Sequence, residues 1–177
     1  MSFYEFTVPA PDGSEKSLED FRGRVVLVVN TATGCGFTPQ YRDLEAMYEK
    51  YHDRGLEILD IPCSQFRDQA PGTDEQIREF CTLHYDTRFP QMKKSLVNGE
   101  GELPLYTWLK EQKGFEGFGK GAKAGLMSLM LRKIPKDDPA IRWNFTKFVV
   151  DRQGEVRARF EPTADMKDVE AFIESLL

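Results

Sequence analysis

The stretch Arg24-Val-Val-Leu-Val-Val-Asn-Thr-Ala-Thr-Gly-Cys-Gly-Phe-Thr-Pro39 decides how the chain folds. Its first part, residues 24–32, is a valine-rich run with little alternation of polar and apolar side chains. Such a run is typical of a strand that is covered on both faces. The apolar spacing over 38–54 then predicts a helix, with Thr38 as its N-cap and Gly55 just beyond its end. The stretch therefore predicts a central strand that leads directly into a helix.

A second strand and a second helix follow in the chain. Leu56–Pro62 is an apolar strand, and residues 73–85 have the spacing of a helix that is capped by Thr73 with Gln76 three residues later. Because a strand, a helix and a strand in this order form a right-handed crossover, we expect the two strands to be parallel neighbours.

The remaining pattern completes an α/β domain. We predict an N-terminal hairpin from residues 3–8 and Glu15–Ser17, a helix at 103–112, a hairpin of strands 145–151 and Val156–Phe160, and a closing helix at 166–176. The sequence thus predicts one domain over residues 1–177, with a central mixed sheet flanked by helices and an insert at about 113–141.

Composition excludes several classes of protein. The 177 residues include 24 Lys and Arg against 29 Asp and Glu, and 40% of them are hydrophobic, which is ordinary for a globular chain and excludes disorder. A net charge of −5 without a long basic run disfavours nucleic-acid binding. The longest apolar run, residues 25–29, is too short for a bilayer span, and the start lacks the features of a secretory signal. A cytoplasmic location is therefore expected.

Cys35 is the best candidate among three cysteines for chemistry. It lies where the central strand ends and a helix begins, the edge at which open α/β sheets place their ligands. Gly34 and Gly36 allow the backbone a sharp turn and a close approach to a reactant. Free N–H groups at the start of a helix favour a thiolate. The alternative is a small buried apolar residue.

Three motifs resemble those of the glutathione peroxidase family. The stretch from Asn30 to Tyr41 resembles its peroxidatic-cysteine motif in the selenium-free form. Ile61-Pro-Cys-Ser-Gln-Phe66, followed by Gln69-Ala-Pro-Gly72, resembles the second motif, and Trp143-Asn-Phe-Thr-Lys-Phe148 matches the third. The similarity covers nearly the whole chain.

The resemblance implies a thioredoxin-like fold in which the Cys35 thiolate attacks a peroxide oxygen and becomes a sulfenic acid. Gln69, Trp143 and Asn144 fall on the other catalytic positions of the family. Their amide and indole groups donate hydrogen bonds without carrying charge. The alternatives are a core aromatic for Trp143, a turn residue for Asn144 and a solvated loop residue for Gln69. Gly34 stands where many relatives carry Lys, so we expect altered reactivity and the same reaction.

Cys81 resembles the resolving cysteine of family members that use two cysteines and draw electrons from thioredoxin. Condensation with the sulfenic acid would give a disulfide. Since Cys81 lies on or beside the apolar stripe of the 73–85 helix, this helix has to unwind or swing in each cycle. The alternative is a packed core cysteine. Cys63 is expected to be structural, with a backup resolving role as the alternative.

The expected function is the reduction of hydrogen peroxide and organic hydroperoxides, an antioxidant activity in the response to oxidative stress, with thioredoxin or glutathione as the reductant. The alternative is a peroxide sensor that relays its disulfide to a partner protein. No cofactor is expected. Cys81 and His84 look like half of a metal site, but structural zinc usually needs four ligands, so no metal is expected.

The insert is basic and apolar. Between residues 114 and 136, Lys120, Lys123, Arg132, Lys133 and Lys136 face one acid, Glu116, and residues 126–131 are apolar and helix-forming. The segment predicts either a short amphipathic helix packed on the domain or a docking surface for a partner or an anionic membrane that carries lipid hydroperoxides. A monomer is expected.

Overall fold

The computed structural model describes residues 1–135 and 137–177, and the valine-rich run is the strand β3 within it. The strands are β1 Thr7–Pro9, β2 Glu15–Ser17, β3 Val25–Thr31, β4 Leu56–Pro62, β5 Lys147–Val150 and β6 Val156–Phe160. The helices are α1 Tyr41–Tyr51, α2 Asp74–Tyr85, α3 Pro104–Gln112, α4 Ala122–Met130 and α5 Met166–Glu174. Lys136, which the sequence analysis counted in the basic insert, lies outside the described residues.

A four-stranded mixed sheet has the order β4-β3-β5-β6. As predicted, β3 and β4 are parallel neighbours, while β5 pairs antiparallel with both β3 and β6. Thr31 pairs with Pro62, and Val29 pairs with Lys147. The carboxyl ends of β3 and β4 and the amino end of β5 therefore meet at one edge of the sheet. The first motif extends beyond β3 at this edge, the second extends beyond β4, and the third leads into β5.

Two apolar cores cover the two faces of this sheet. One face of β3 and β4 packs against α1, α2 and α5, and the other packs against α3 and the N-terminal segment that includes the β1–β2 hairpin. All seven residues of β3 and all seven of β4 are buried. This double coverage explains why both strands read as continuous apolar runs.

Two predicted strands begin later than the sequence pattern indicated. Residues 3–5 form a 3-10 turn, because Ser2 and Glu5 make a capping box and Phe3 and Tyr4 are both buried. The predicted strand at 145 begins at Lys147, since Phe145 has a φ of 66° and donates its N–H to the Asn30 carbonyl at 2.6 Å.

The predicted helix over 38–54 is a 3-10 turn, α1 and a second 3-10 turn in succession. Gly55 ends it with a φ of 109°, as expected of a left-handed cap. Thr38, however, is not the N-cap of α1, because its hydroxyl is used by the turn around Cys35. The capping box of Thr73 and Gln76 on α2 is confirmed.

Among residues 1–135 and 137–177, no helix has the length and apolar content needed to cross a membrane.

Candidate active site

Cys35 lies in the turn between β3 and the 3-10 turn Thr38–Gln40, at the edge where the two parallel strands end. Its backbone N–H donates to the hydroxyl of Thr38 at 3.0 Å, and that hydroxyl donates to the carbonyl of Ala32 at 2.8 Å. The N–H of Phe37 points at the Cys35 sulfur at 3.4 Å, a contact that stabilises a negatively charged sulfur. The residue is 7% exposed, so its sulfur is shielded without being sealed.

The loop after β4 brings Gln69 to this turn. The backbone carbonyl of Gln69 accepts the N–H of Gly34 at 2.8 Å, one residue before the cysteine. A Cβ on Gly34 would lie 3.4 Å from this carbonyl oxygen, so a larger residue would crowd the contact. Arg67 and Asp68 adopt left-handed backbone conformations, which keep the loop short and turn Gln69 inward.

Asn144, which precedes β5, contacts the side chain of Gln69. It is fully buried, and its amide nitrogen donates to the side-chain carbonyl of Gln69 at 3.0 Å. Its own side-chain oxygen is buried and has no hydrogen-bond partner among the described residues. An unpaired buried acceptor is costly, so the position of this amide is held by its bond to Gln69 at the expense of its own oxygen.

Trp143 is fixed to β3, the strand that leads into the Cys35 turn. The side chain of Asn30, near the end of β3, donates to the Trp143 carbonyl at 3.2 Å and accepts the Thr146 N–H at 3.1 Å. Trp143 belongs to the same buried cluster as Cys35. The structure thus brings Gln69 and Asn144 into direct contact and sets all three predicted residues at the edge of the sheet that carries Cys35.

The indole ring of Trp143 contacts an aromatic ring and a cation. The ring of Phe66 lies 5.9 Å from it, and the guanidinium of Arg67 lies 5.5 Å from its ring centre. Arg67 also reaches the sulfur of Met130 on α4 at 3.5 Å. Sequence reasoning missed this arginine, whose only signal was its place between the two parts of the second motif.

A groove of about 1260 Å³ opens beside the Cys35 turn. Gly36 and Phe37 form one wall, and Phe118 of the insert and Phe160 of β6 lie on others. Among the described residues, its lining includes Gly36 and Phe37 but not Cys35, so the groove adjoins the Cys35 turn without containing the sulfur.

Cys81 lies on the buried face of α2 and is 1% exposed. Burial raises the pKa of its thiol to about 12, and the negative charge of Asp60 adds to this rise. The side-chain nitrogen of Gln91 lies 3.6 Å from its sulfur. The predicted position on the apolar stripe is confirmed, and the resting thiol is protonated at neutral pH.

Cys63 lies on the other face of the sheet. It is fully buried in the core that contains α3, whereas Cys35 and Cys81 both pack in the core that contains α1. Burial raises the pKa of its thiol. All three cysteines are free. Within the described ranges, no three His, Cys, Asp or Glu side chains lie close enough to hold a metal ion.

Solved structures show the fold. The chain superposes on a thiol:disulfide interchange protein of the thioredoxin family from Chlorobium tepidum with a TM-score of 0.59 at 16% identity, covering 97% of this chain and 92% of that one. It superposes on the crystal structure of T. cruzi GPX1 with a TM-score of 0.70 at 32% identity, covering 99% and 96% of the two chains. The fold is thioredoxin-like, as the resemblance implied.

Sequence comparison gives the family. Residues 3–110 match the family model described as glutathione peroxidase. The chain is 43% identical over its full length to the full-length glutathione peroxidase of Lactococcus lactis. It is 43% identical to glutathione peroxidase-like peroxiredoxin 2 of Saccharomyces cerevisiae, covering 99% of this chain and 97% of that one. The chain therefore belongs to the glutathione peroxidase family and is a peroxidase, an oxidoreductase.

Proposed function

We propose that the protein is a selenium-free thiol peroxidase that reduces hydrogen peroxide and organic hydroperoxides with the Cys35 sulfur. The observation that carries the proposal is the meeting of Gln69 and Asn144 against the turn that holds Cys35, with an N–H directed at its sulfur. These groups are all uncharged, so the site can stabilise a developing negative charge without a histidine or a metal.

In the first step the Cys35 thiolate attacks one peroxide oxygen and the oxygen–oxygen bond breaks. The sulfur is oxidised by two electrons to a sulfenic acid, and the other oxygen leaves as water or an alcohol after it gains a proton. The indole N–H of Trp143 and the amide of Gln69 are the donors for the leaving oxygen.

In the second step the thiol of Cys81 condenses with the sulfenic acid, and a disulfide and water form. Cys35 and Cys81 pack in the same core, which supports this pairing over one with Cys63. Because Cys81 is buried with its pKa raised to about 12, α2 has to open before the thiol can react. Thioredoxin then reduces the disulfide; glutathione is the alternative reductant.

The test is peroxide-dependent oxidation of NADPH, coupled separately through thioredoxin and through glutathione. Cys35→Ser should abolish both activities, since it removes the nucleophile. Cys81→Ser should lose chiefly the thioredoxin-coupled activity, and Cys63→Ser, the matched control, should keep both. Full activity in Cys35→Ser would refute the proposal. A single stoichiometric burst without turnover in the wild type would favour the peroxide sensor instead.

Helix α4 of the insert exposes apolar side chains next to basic ones. On α4, Leu126 is 66% and Leu129 61% exposed, and the exposed cations Lys123, Arg132 and Lys133 flank them. Arg67 joins Met130 of this helix to the ring of Trp143. We propose that α4 docks on an anionic membrane and thereby presents the site to lipid hydroperoxides.

Sedimentation with vesicles tests this docking. The protein should sediment with vesicles that contain anionic lipid and stay in solution with neutral ones, and Leu126→Ser with Leu129→Ser should abolish sedimentation. Leu83→Ser, which changes an exposed leucine on α2, is the control. No sedimentation with anionic vesicles would refute the docking.

Three free cysteines support a reducing compartment, and we place the protein in the cytoplasm.

A further inference from the structure

Asn98 joins the loop after β4 to the segment that leads into β5. Its backbone N–H donates to the side-chain oxygen of Gln65 at 3.1 Å, and its carbonyl accepts the Gln65 side-chain nitrogen at 2.7 Å. Its side chain makes a second reciprocal pair, with the backbone of Ile141. The side-chain nitrogen donates to the Ile141 carbonyl at 2.8 Å, and the side-chain oxygen accepts the Ile141 N–H at 2.9 Å.

The buried ammonium of Lys110 on α3 fixes the Asn98 amide. It donates to the side-chain oxygen of Asn98 at 3.3 Å, to the Val97 carbonyl at 3.1 Å and to the Glu102 carboxylate at 2.6 Å. Since a lysine has three N–H donors, these three acceptors use all of them. Rotation of the Asn98 amide would break both bonds to Ile141 and a charge-assisted bond as well.

The two segments that Asn98 joins, residues 65–69 and 141–144, carry side chains proposed for the reaction at their carboxyl ends. There Asn144 donates to Gln69 at 3.0 Å, and aromatic rings of the two segments lie 5.9 Å apart. Residues 141–144 belong to no helix or strand, so their backbone groups have no ladder to hold them. The direction of this segment therefore depends on bonds such as those from Asn98.

We propose that Asn98 is a positioning residue for the oxidation of Cys35: by holding the backbone of Ile141 it fixes the direction in which Trp143 and Asn144 face the Cys35 turn. The inference rests on the proposed function, in which these groups assist attack on a peroxide. In that step a sulfur–oxygen bond forms, the oxygen–oxygen bond breaks, and the leaving oxygen takes up a proton.

The experiment measures sulfenic acid formation on Cys35 in a Cys81→Ser background, where the second cysteine takes no part. Rapid-quench mixing with hydrogen peroxide, followed by trapping of the sulfenic acid, gives the second-order rate constant. We expect Asn98→Ala to lower it at least fivefold, because a displacement of about 1 Å can cost roughly a hundredfold in rate. Asn98→Asp keeps the acceptor for the Ile141 N–H and should retain an intermediate rate.

Tryptophan fluorescence separates positioning from a loss of overall stability. The chain has two tryptophans, so Trp108→Phe leaves Trp143 as the single emitter. In this background we expect Asn98→Ala to raise the acrylamide quenching constant of Trp143 at least twofold while circular dichroism shows a folded protein. A residue that contributes only to stability would not change the quenching of a folded protein.

Arg152→Met is the matched control for stability. The Arg152 guanidinium donates to the backbone carbonyls of Gly23, Arg54 and Leu177 at 3.1, 3.0 and 2.6 Å. Arg152 follows the carboxyl end of β5, whereas Trp143 precedes the amino end of that strand. The control should lower the urea midpoint and leave both the sulfenic acid rate and the quenching constant unchanged.

A fall of less than fivefold in Asn98→Ala, or an unchanged quenching constant, would overturn the role of Asn98 and leave the peroxidase reaction intact. Equal changes in Arg152→Met would overturn it too. If Asn98→Ala does not fold, Gln65→Leu removes the bonds to the Asn98 backbone and takes its place, with the same expected results. If Cys35 is not oxidised in Cys81→Ser, the proposed function is refuted, and the role of Asn98 with it.

Discussion

The hydrogen-bonding groups at the Cys35 turn described above are uncharged. The Phe37 N–H points at the Cys35 sulfur, and the Gln69 and Asn144 amides meet beside its turn. Neutral donors keep the same strength across physiological pH, since none of them titrates there. The site therefore depends on geometry rather than on a neighbouring charge, and removal of one donor should slow the reaction.

Trp143→Phe tests the indole donor. The substitution keeps an aromatic ring against Phe66 and Arg67 and removes the N–H. One donor to a developing oxyanion is worth roughly a hundredfold in rate, so we expect sulfenic acid formation to slow by about ten- to a hundredfold. Trp108→Phe changes the other tryptophan, which packs on Phe6 in the opposite core, and should leave the rate unchanged. Equal rates in wild type and Trp143→Phe would contradict the donor role.

Thr38→Val tests the bridge inside the turn. The hydroxyl of Thr38 joins the Cys35 N–H to the Ala32 carbonyl, and both groups lose this partner when it is removed. Leaving buried polar groups unpaired costs about 1–3 kcal/mol of the free energy of unfolding. Urea denaturation should show this loss, and the peroxide rate should fall because the turn loosens. Thr38→Ser keeps the hydroxyl and should behave nearly as wild type; an unaffected Thr38→Val would refute the bridge.

The sequence predicted the candidate reacting residues but not the residues whose hydrogen bonds fix the backbone around them. Gln69, Trp143 and Asn144 followed from the family resemblance, and the structure sets them at one edge of the sheet. Asn30 and Thr38 lay inside the quoted motif, yet their roles were missed. Both act by bonding to backbone atoms of turns, and a turn's backbone directions are not visible in the residue types that form it.

α2 is a stable element that, in the proposed mechanism, has to open. Its capping box, Thr73 with Gln76, fixes its start, while Ile77 and Cys81 face the core. Phe80 and Tyr85 of the same helix also pack, partly buried, against this core, so opening has to expose four side chains. We expect weakening of its cap to favour the open form.

Thr73→Ala should speed disulfide formation. Loss of this cap costs about 1 kcal/mol of helix stability, which corresponds to roughly a fivefold rise in the open population. The disulfide rate should rise by up to about that factor, as followed by mass mapping after rapid quenching. Asp165→Ala removes the N-cap of α5 at a similar cost in stability and should leave the disulfide rate unchanged. A slower or unchanged rate in Thr73→Ala would show that disulfide formation does not require α2 to open at its start.

Elements were predicted well where apolar periodicity decided them. β3, β4 and α2 match their predicted ranges to within a residue or two at each end. The errors lie where one local bond overrides the pattern. The capping box of Ser2 and Glu5 turns residues 3–5 into a 3-10 turn, and the left-handed Phe145 delays β5 until Lys147. Both depend on contacts that periodicity does not encode.

For the whole molecule, the buried charge of Asp60 makes stability depend on pH. Its pKa rises from 3.8 to about 6 on folding, so the folded state binds the proton more tightly than the unfolded state does. The contribution of this group is therefore most favourable below about pH 4 and is lost as the pH rises through 6. The difference amounts to about 3 kcal/mol for a shift of this size.

Denaturant unfolding of wild type and Asp60→Asn at several pH values tests this dependence. Wild type should lose about 2 kcal/mol relative to Asp60→Asn between pH 4 and 7, because only wild type carries the titrating carboxyl. The comparison cancels the other carboxyls, which both proteins share. A difference between the two proteins that is constant over this range would contradict the raised pKa of Asp60.

The most direct test of the central claim is mass mapping of the protein after one equivalent of hydrogen peroxide, with free thiols and sulfenic acids trapped by separate reagents. We expect a Cys35–Cys81 disulfide in wild type, a trapped sulfenic acid on Cys35 in Cys81→Ser, and no oxidation in Cys35→Ser. Oxidation that begins at Cys63 or Cys81 in Cys35→Ser, or a wild-type Cys35 that stays reduced, would contradict it.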